Sequence, residues 1–168
     1  MIQGGIEAFA LREIADSLEI KLSNLQYYFK TREALVLAIM EQEAALDIEL
    51  MKQQQLSAAN AADAFRDIVK GLTTRWRGES GVLFSTLGTL AIHNPQYKKL
   101  YRSIYAGFYG ALEEPLKQLN PGLSKTDLEM RVKIITALID GAPMQPQVGQ
   151  KQAFLQQIQA QAEVIARA

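Results

Sequence analysis

From Ile6 through Lys70 the chain holds neither glycine nor proline, while Ala, Leu, Glu, Gln and Lys recur throughout. Those side chains lose little freedom in a helix, and the two residues that most often stop one are missing. The alternation of Val, Ile and Thr that a half-buried strand requires is absent too. The chain therefore reads as all-α. Its 168 residues, 48% of them hydrophobic, are enough to bury a core without disulfide or metal staples.

Caps and breakers divide the helices. The spacing predicts a short helix over 10–18, with Leu11, Ile14, Ala15 and Leu18 at helical intervals. Glu19, Ile20 and Lys21 form a tight turn, and a second short helix follows over 22–29. Thr31 caps a long third helix with Glu33 in its first turn, reaching about Gln55 and turning Leu35, Ala38, Ile39, Leu46 and Leu50 toward a core. Helices are expected over 59–75 and 82–92, with Gly78 and Gly81 around the break between them. Asn94-Pro95 restarts the chain as N-cap plus proline at the first helical position, and that helix reaches Leu119, bending near Gly107, Gly110 or Pro115. After the Asn120-Pro121-Gly122 turn, Ser124 with Asp127 three residues on caps a helix that Gly141, Pro143 and Pro146 end. A connector over 141–150, uncharged and expected to be mobile, leads into a glutamine-rich helix over 150–168.

Several function classes drop out. Lys plus Arg (18) balances Asp plus Glu (18), so nucleic-acid binding would have to rest on a local patch. Cysteine is absent, which excludes thiolate metal sites and a cysteine nucleophile and suits a reducing cytoplasm. His93 is the only histidine, so a multi-histidine zinc site is excluded, and no metal or cofactor is expected. The longest uncharged run, Ser80 to Tyr97, is interrupted by polar residues and falls short of the roughly 20 apolar residues of a membrane span. Met-Ile-Gln-Gly-Gly lacks the basic opening of a secretory signal. His93 has no nucleophile partner in view, Glu113-Glu114 reads as a solvated face, and no glycine-rich phosphate loop occurs, so no enzyme is expected.

Two short helices joined by three residues and followed by a long helix form the layout of a DNA-binding helix-turn-helix. Within it stand Leu11-Arg12-Glu13-Ile14-Ala15, Leu25, Tyr27-Tyr28-Phe29 and Thr31-Arg32-Glu33-Ala34-Leu35. In residues and in spacing these resemble the TetR family of one-component transcriptional regulators, over about the first quarter of the chain. On the second helix Leu25 and Phe29 share an anchoring face. Lys21, Ser23, Asn24 and Tyr27 or Tyr28 are left to face a major groove, where Asn, Ser and Lys read base edges and a phenol reaches phosphate. Thr31 and Arg32, at the start of the long helix, are placed to bind a backbone phosphate. The resemblance further implies a DNA contact from Arg12.

Departures from the family pattern bear on this expectation. Glu19 stands where the family usually has glycine, implying a strained left-handed residue or a different turn. Gln26 replaces the usual first aromatic, and Arg32 the common lysine. Residues 1–5 look like the tail of a first helix and 4–9 like the loop after it, so the chain is expected to lack most of that helix and the basic arm it would carry. Met1 to Met40 holds four bases (Arg12, Lys21, Lys30, Arg32) against five acids (Glu7, Glu13, Asp16, Glu19, Glu33), an unfavourable balance for DNA. A helical protein-interaction module that kept the fold without sequence-specific DNA binding is the competing reading.

The division expected is a helix-turn-helix domain over 1–36 and a regulatory and dimerisation body over 37–168. In the body, Tyr97, Tyr101, Tyr105 and Tyr109 recur every four residues with Phe108 alongside. Aromatics at that interval pack a core; alternatively Trp76, Phe84, His93, Tyr101, Tyr105 and Phe108 line a ligand cavity, as the resemblance implies. Leu128, Val132, Ile135, Leu138 and Ile139, then Phe154, Leu155, Ile158, Val164 and Ile165, form apolar stripes that one chain could bury by itself. The resemblance instead implies a four-helix bundle across a homodimer, involving Leu128, Val132, Ile135, Ile139, Phe154, Ile158 and Ile165. The implied function is a ligand-responsive regulator, most often a repressor, binding a palindromic double-stranded DNA operator as a homodimer and released by a small-molecule effector.

Overall fold

Among the described residues eight helices follow this punctuation: α1 (Leu11–Ser17), α2 (Leu22–Tyr28), α3 (Arg32–Ser57), α4 (Ala61–Arg75), α5 (Glu79–His93), α6 (Pro95–Leu119), α7 (Lys125–Gly141) and α8 (Gln152–Arg167). They come from a computed structural model, which describes residues 10–142 and 152–168. The readings of residues 1–9 and of the connector beyond Ala142 lie outside the described residues. No helix among those described is long and apolar enough to cross a membrane.

The caps act as their chemistry dictates. Thr31 Oγ1 accepts the Ala34 N–H at 3.1 Å, Asn60 Oδ1 accepts that of Asp63 at 3.0 Å, Asn94 Oδ1 that of Gln96 at 2.8 Å, and Ser124 Oγ that of Asp127 at 3.2 Å. Each satisfies an amide that the first helical turn leaves without a carbonyl. Helix α5 begins three residues earlier than its pattern predicted, because Gly78 rather than Gly81 precedes it and Gly81 is buried within its first turn.

Helix α3 is the spine, packed against α4, α5 and α6. Its inward row is Val36, Met40, Ala44, Asp47 and Met51, all but fully enclosed. Leu46, expected in the core, is instead 44% exposed, and Leu18 of the α1 row is 59% exposed. Each sits beyond the narrow stripe its helix actually buries. Close approach of the neighbours depends on glycine: a Cβ on Gly71 of α4 would stand 3.2 Å from Leu50, and one on Gly107 of α6 3.2 Å from Ile48.

Pro115 lies inside α6, where it has no N–H to give the Ala111 carbonyl. The Gln55 side-chain amide of α3 donates to that carbonyl at 2.6 Å. A helix defect thus becomes a tie between the far end of α3 and the middle of the body. Helices α7 and α8 close the other side of α6 and α4, with Leu128, Val132, Ile135, Ile139, Leu155, Ala162 and Ala166 in the core.

Candidate functional site

Helices α1 and α2 pack on each other at the start of α3, joined by the turn through Glu19. Glu19 has φ 55°, the left-handed region that favours glycine, so the first of the two expected outcomes at this turn is the one found. Ala15 and Leu25 seat the pair in the core, with Leu11, Ile14, Leu22 and Phe29 partly buried beside them. Lys21, Ser23, Asn24, Tyr27 and Tyr28 are consequently left exposed, as are Arg12 and Thr31. Tyr27 and Tyr28 are 79% and 76% exposed, with their rings edge to face at 5.1 Å. Two large aromatics held in water by a helix one side of which is fully seated form a surface suited to another molecule.

Arg32 differs from its expected setting. It is half-buried, and its Nε is enclosed without a hydrogen-bond partner among the described residues. Its charge acts on the phenol of Tyr97 at the start of α6, whose pKa burial and Glu33 push up and Arg32 draws down. The side chain is thus partly turned toward the body rather than wholly toward solvent.

A second site lies between α4, α5, α6 and α7. Trp76, Phe84, Tyr101 and Tyr105 line a cleft of about 310 Å³ together with Gly81, Ser85, Gly88, Thr89, Ile92 and Asp140. Phe108 is buried behind it, 5.5 Å from the Trp76 ring and 5.7 Å from that of Phe84. His93 is not part of this group. It lines a separate cleft of about 490 Å³ with Lys98, Lys99 and Arg102, because it ends α5 on the far side of the Asn94 cap. Four of the six expected ligand residues therefore share one cleft, Phe108 supports it from the core, and His93 stands apart.

Two acids that sequence reasoning missed organise this region. Asp47 of α3 is fully buried and accepts the Trp76 indole N–H at 2.6 Å and the Arg75 Nε–H. Arg75 also donates to Glu43 at 2.7 Å, and the Ser80 hydroxyl donates to Glu43 at 2.8 Å. Burial pushes the Asp47 carboxyl up, against the hydrogen bonds of Trp76 and Arg75 that pull it down. A signal existed: one acid stands in an otherwise apolar row of α3. Asp140, at the end of α7, accepts the Tyr105 hydroxyl at 2.8 Å. Burial lifts its carboxyl to about 6, the Tyr105 hydrogen bond opposing, and burial with the facing Asp140 charge raises the Tyr105 phenol strongly.

The expected dimer face is corrected in part. Leu128, Val132, Ile135 and Ile139 are buried within the single chain, so this row has no surface left for a second copy. The reason is that α7 is apolar on two sides, and the fuller stripe turns inward. Its other side exposes Met130 (55%) and Ile134 (48%), while α8 exposes Phe154 and Val164, with Ile158 and Ile165 half-buried.

No family model matches the sequence, and no curated protein matches it in sequence. Solved structures do match in shape. A TetR transcription regulator from Haloarcula marismortui superposes with TM-score 0.82 at 14% identity, covering 98% of this chain and 88% of the other. A TetR transcriptional regulator from Legionella pneumophila gives 0.79 at 16%, covering 97% and 89%. A protein from Saccharomonospora viridis, described as a transcriptional regulator and solved in complex with choline, gives 0.79 at 18%, covering 97% and 87%. The all-α fold of this chain is that of the TetR-family regulators.

Proposed function

We propose that the chain is a member of the TetR family acting as a ligand-responsive, DNA-binding transcriptional regulator, a repressor that holds a palindromic operator as a homodimer. The observation that carries this reading is the exposed face of α2, where Lys21, Ser23, Asn24, Tyr27 and Tyr28 stand free on a helix that Leu25 seats. Side chains of that chemistry, presented from the second helix of a helix-turn-helix, suit base edges and phosphates of a major groove. Arg12 and Thr31 flank the same face, with Arg32 reaching phosphate past its partial cover. Residues up to 36 form the reading head in this division, and residues 37–168 the body.

The dimer assigned to this function uses the outer sides of α7 and α8, with Met130, Ile134, Phe154 and Ile158, in a two-fold arrangement that places two α2 helices on successive half-sites. The effector site is the aromatic cleft. The choline found in the Saccharomonospora viridis protein shows that a protein of this shape can hold a small organic molecule. Trp76 links the two functions: its ring walls the cleft while its N–H holds Asp47 on α3, the helix that carries the reading head. An occupant that binds one Trp76 arrangement better than another biases the tilt of α3 by that difference in affinity.

Selection from a random duplex library at moderate salt tests the reading. Enrichment of a palindrome whose half-sites lie one helical turn, or a multiple, apart is expected. A folded dimer that enriches nothing would overturn it, in favour of an interaction module that keeps the fold, an alternative for which the charge balance of Met1 to Met40 speaks.

A further inference from the structure

We infer that the cleft walled by Trp76, Phe84, Tyr101 and Tyr105 and closed by Asp140 binds an organic cation, a quaternary or protonated amine. This rests on the reading of the body as effector-responsive and names the class of effector. Three features of the cleft converge on it.

The first is the wall. Three electron-rich rings, Trp76, Tyr101 and Tyr105, line one cleft, and Tyr101 and Tyr105 stack on each other with centroids 4.4 Å apart at 34°. The π-face of such a ring is negative, so it attracts cations and repels anions. The second is the acid. Asp140 takes a hydrogen bond from Tyr105 and has no ion pair among the described residues, in contrast to Asp47 and Glu43, which share Arg75. Among the described residues, no basic side chain lines the cleft. The titratable groups facing Asp140 are the phenols of Tyr101, Tyr105 and Tyr109, all on α6, while the linings from α4 and α5 bring none. The carboxyl's rise to about 6 under burial still leaves it ionised at neutral pH, an anion waiting for its counter-charge.

The third is space. Gly81 and Gly88 face the cleft from α5, and a Cβ on Gly88 would meet Tyr101 Cε2 at 3.6 Å, so even a small side chain there begins to fill it. An anion would meet a carboxylate and negative ring faces together. A neutral apolar molecule would strip water from the Asp140 carboxylate and return nothing. A compact cation satisfies the acid and the rings at once, and about 310 Å³ sits at the small end of ligand cavities.

Calorimetric titration of the whole chain with choline and tetraethylammonium tests this, beside the neutral isostere of choline in which tert-butyl replaces trimethylammonium. Both cations should bind, and the isostere roughly tenfold more weakly or worse. Asp140→Asn should weaken choline by about tenfold while leaving the isostere unchanged, and Gly88→Leu should abolish all binding with the melting temperature kept. Because choline carries a permanent charge, its affinity should fall about fivefold at a pH one unit below the Asp140 value of about 6, where about a tenth of the acid stays ionised and the neutral form binds about tenfold more weakly. Equal binding of choline and its isostere, indifference to Asp140→Asn, or no binding of either cation at millimolar concentration would overturn the proposal. Operator selection without any probe scores the regulatory reading separately, so either idea can fail alone.

Discussion

Replacing Asp47 by alanine probes the joint between the spine and the cleft. The carboxylate is fully buried, receives the Trp76 N–H at 2.6 Å and shares the Arg75 guanidinium with Glu43. Without it, the indole N–H is stranded in the core, a loss of about 1–3 kcal/mol. Arg75 loses one of two anionic acceptors, but its side chain is 32% exposed, so water and Glu43 soften that loss. Together the change should destabilise by about 3–4 kcal/mol, near the low end of ~3–5 kcal/mol for a broken buried pair. Asp47→Asn keeps the volume and an oxygen for Trp76 while opposing an NH₂ to Arg75, and should lose only about 2 kcal/mol. At about 2–4 °C per kcal/mol for a chain of this size, the alanine variant should melt roughly 6–16 °C lower. Trp76 is the only tryptophan, so its fluorescence reports the site directly during urea unfolding. An alanine variant within about 1 kcal/mol of wild type, with unchanged emission, would refute the claim that this carboxylate joins α3 to α4.

Glu19→Gly relieves a left-handed residue and should raise stability by about 0.5–1 kcal/mol after the entropy of glycine is counted, whereas Glu19→Gln should not; equal melting of the two would sink the strain argument. Lys21→Ala should lower the log–log salt slope of operator binding by about 1.8 for a dimer, and Asn24→Ala should relax specificity by about 1–3 kcal/mol per half-site with the slope unchanged, both read by titration at several salt concentrations. Ile134→Glu, on the exposed side of α7, should convert dimer to monomer in sedimentation while each chain stays folded. Asp140 holds its proton to higher pH in the folded chain (about 6) than its ordinary 3.8, so ionisation opposes folding and stability falls as pH rises between those values. Asp140→Asn should therefore stabilise by about 1–3 kcal/mol near neutrality and gain little at pH below 3.8, as denaturant titrations would register.

What the sequence made legible follows from the range of each signal. Caps are local: Thr31, Asn94 and Ser124 were placed correctly because the donor and acceptor lie two or three residues apart. The strained turn at Glu19 was legible as a departure from a pattern, and the exposed face of α2 followed once Leu25 was recognised as its anchor. Side assignment failed where a helix is apolar on more than one side. In α7 the row of Val132, Ile135 and Ile139 turned inward and left Ile134 outside, a choice made by α6 and α8 and not by periodicity. Asp47 left a local trace, one acid in the apolar row of α3, but its partner, the Trp76 indole N–H, comes from outside that helix; Asp140, bonded to a phenol 35 residues away, left none. His93 joins the aromatics as a candidate cavity residue through the family resemblance, but as the last residue of α5 it lines another cleft.

Under the proposed function, the ties on α3 would let the cleft in the body act on α1 and α2 at the other end of that helix. Gln55 fixes its far end to the carbonyl that Pro115 frees in α6, while at its near end the Arg32 charge acts on the Tyr97 phenol. Between them, Asp47 is joined to the very indole that walls the cleft. The far tie is a neutral hydrogen bond and the near contact leaves Arg32 Nε unsatisfied, so the buried Asp47–Arg75–Trp76 cluster is the strongest of the three. In the proposed mechanism, a spine held firmly at its middle and weakly at its head would turn a small displacement at the middle into a larger one at α2. To move the population of reading heads from mostly matched to mostly mismatched, an effector needs roughly 5.5 kcal/mol of preference between the two states. The tenfold expected of the charge pair supplies about 1.4 kcal/mol of that preference, so the remainder has to come from cleft walls that one state offers and the other does not. In the proposed mechanism that requirement would tie Asp140, hydrogen-bonded to Tyr105 in the cleft that Trp76 also lines, to the position of α2.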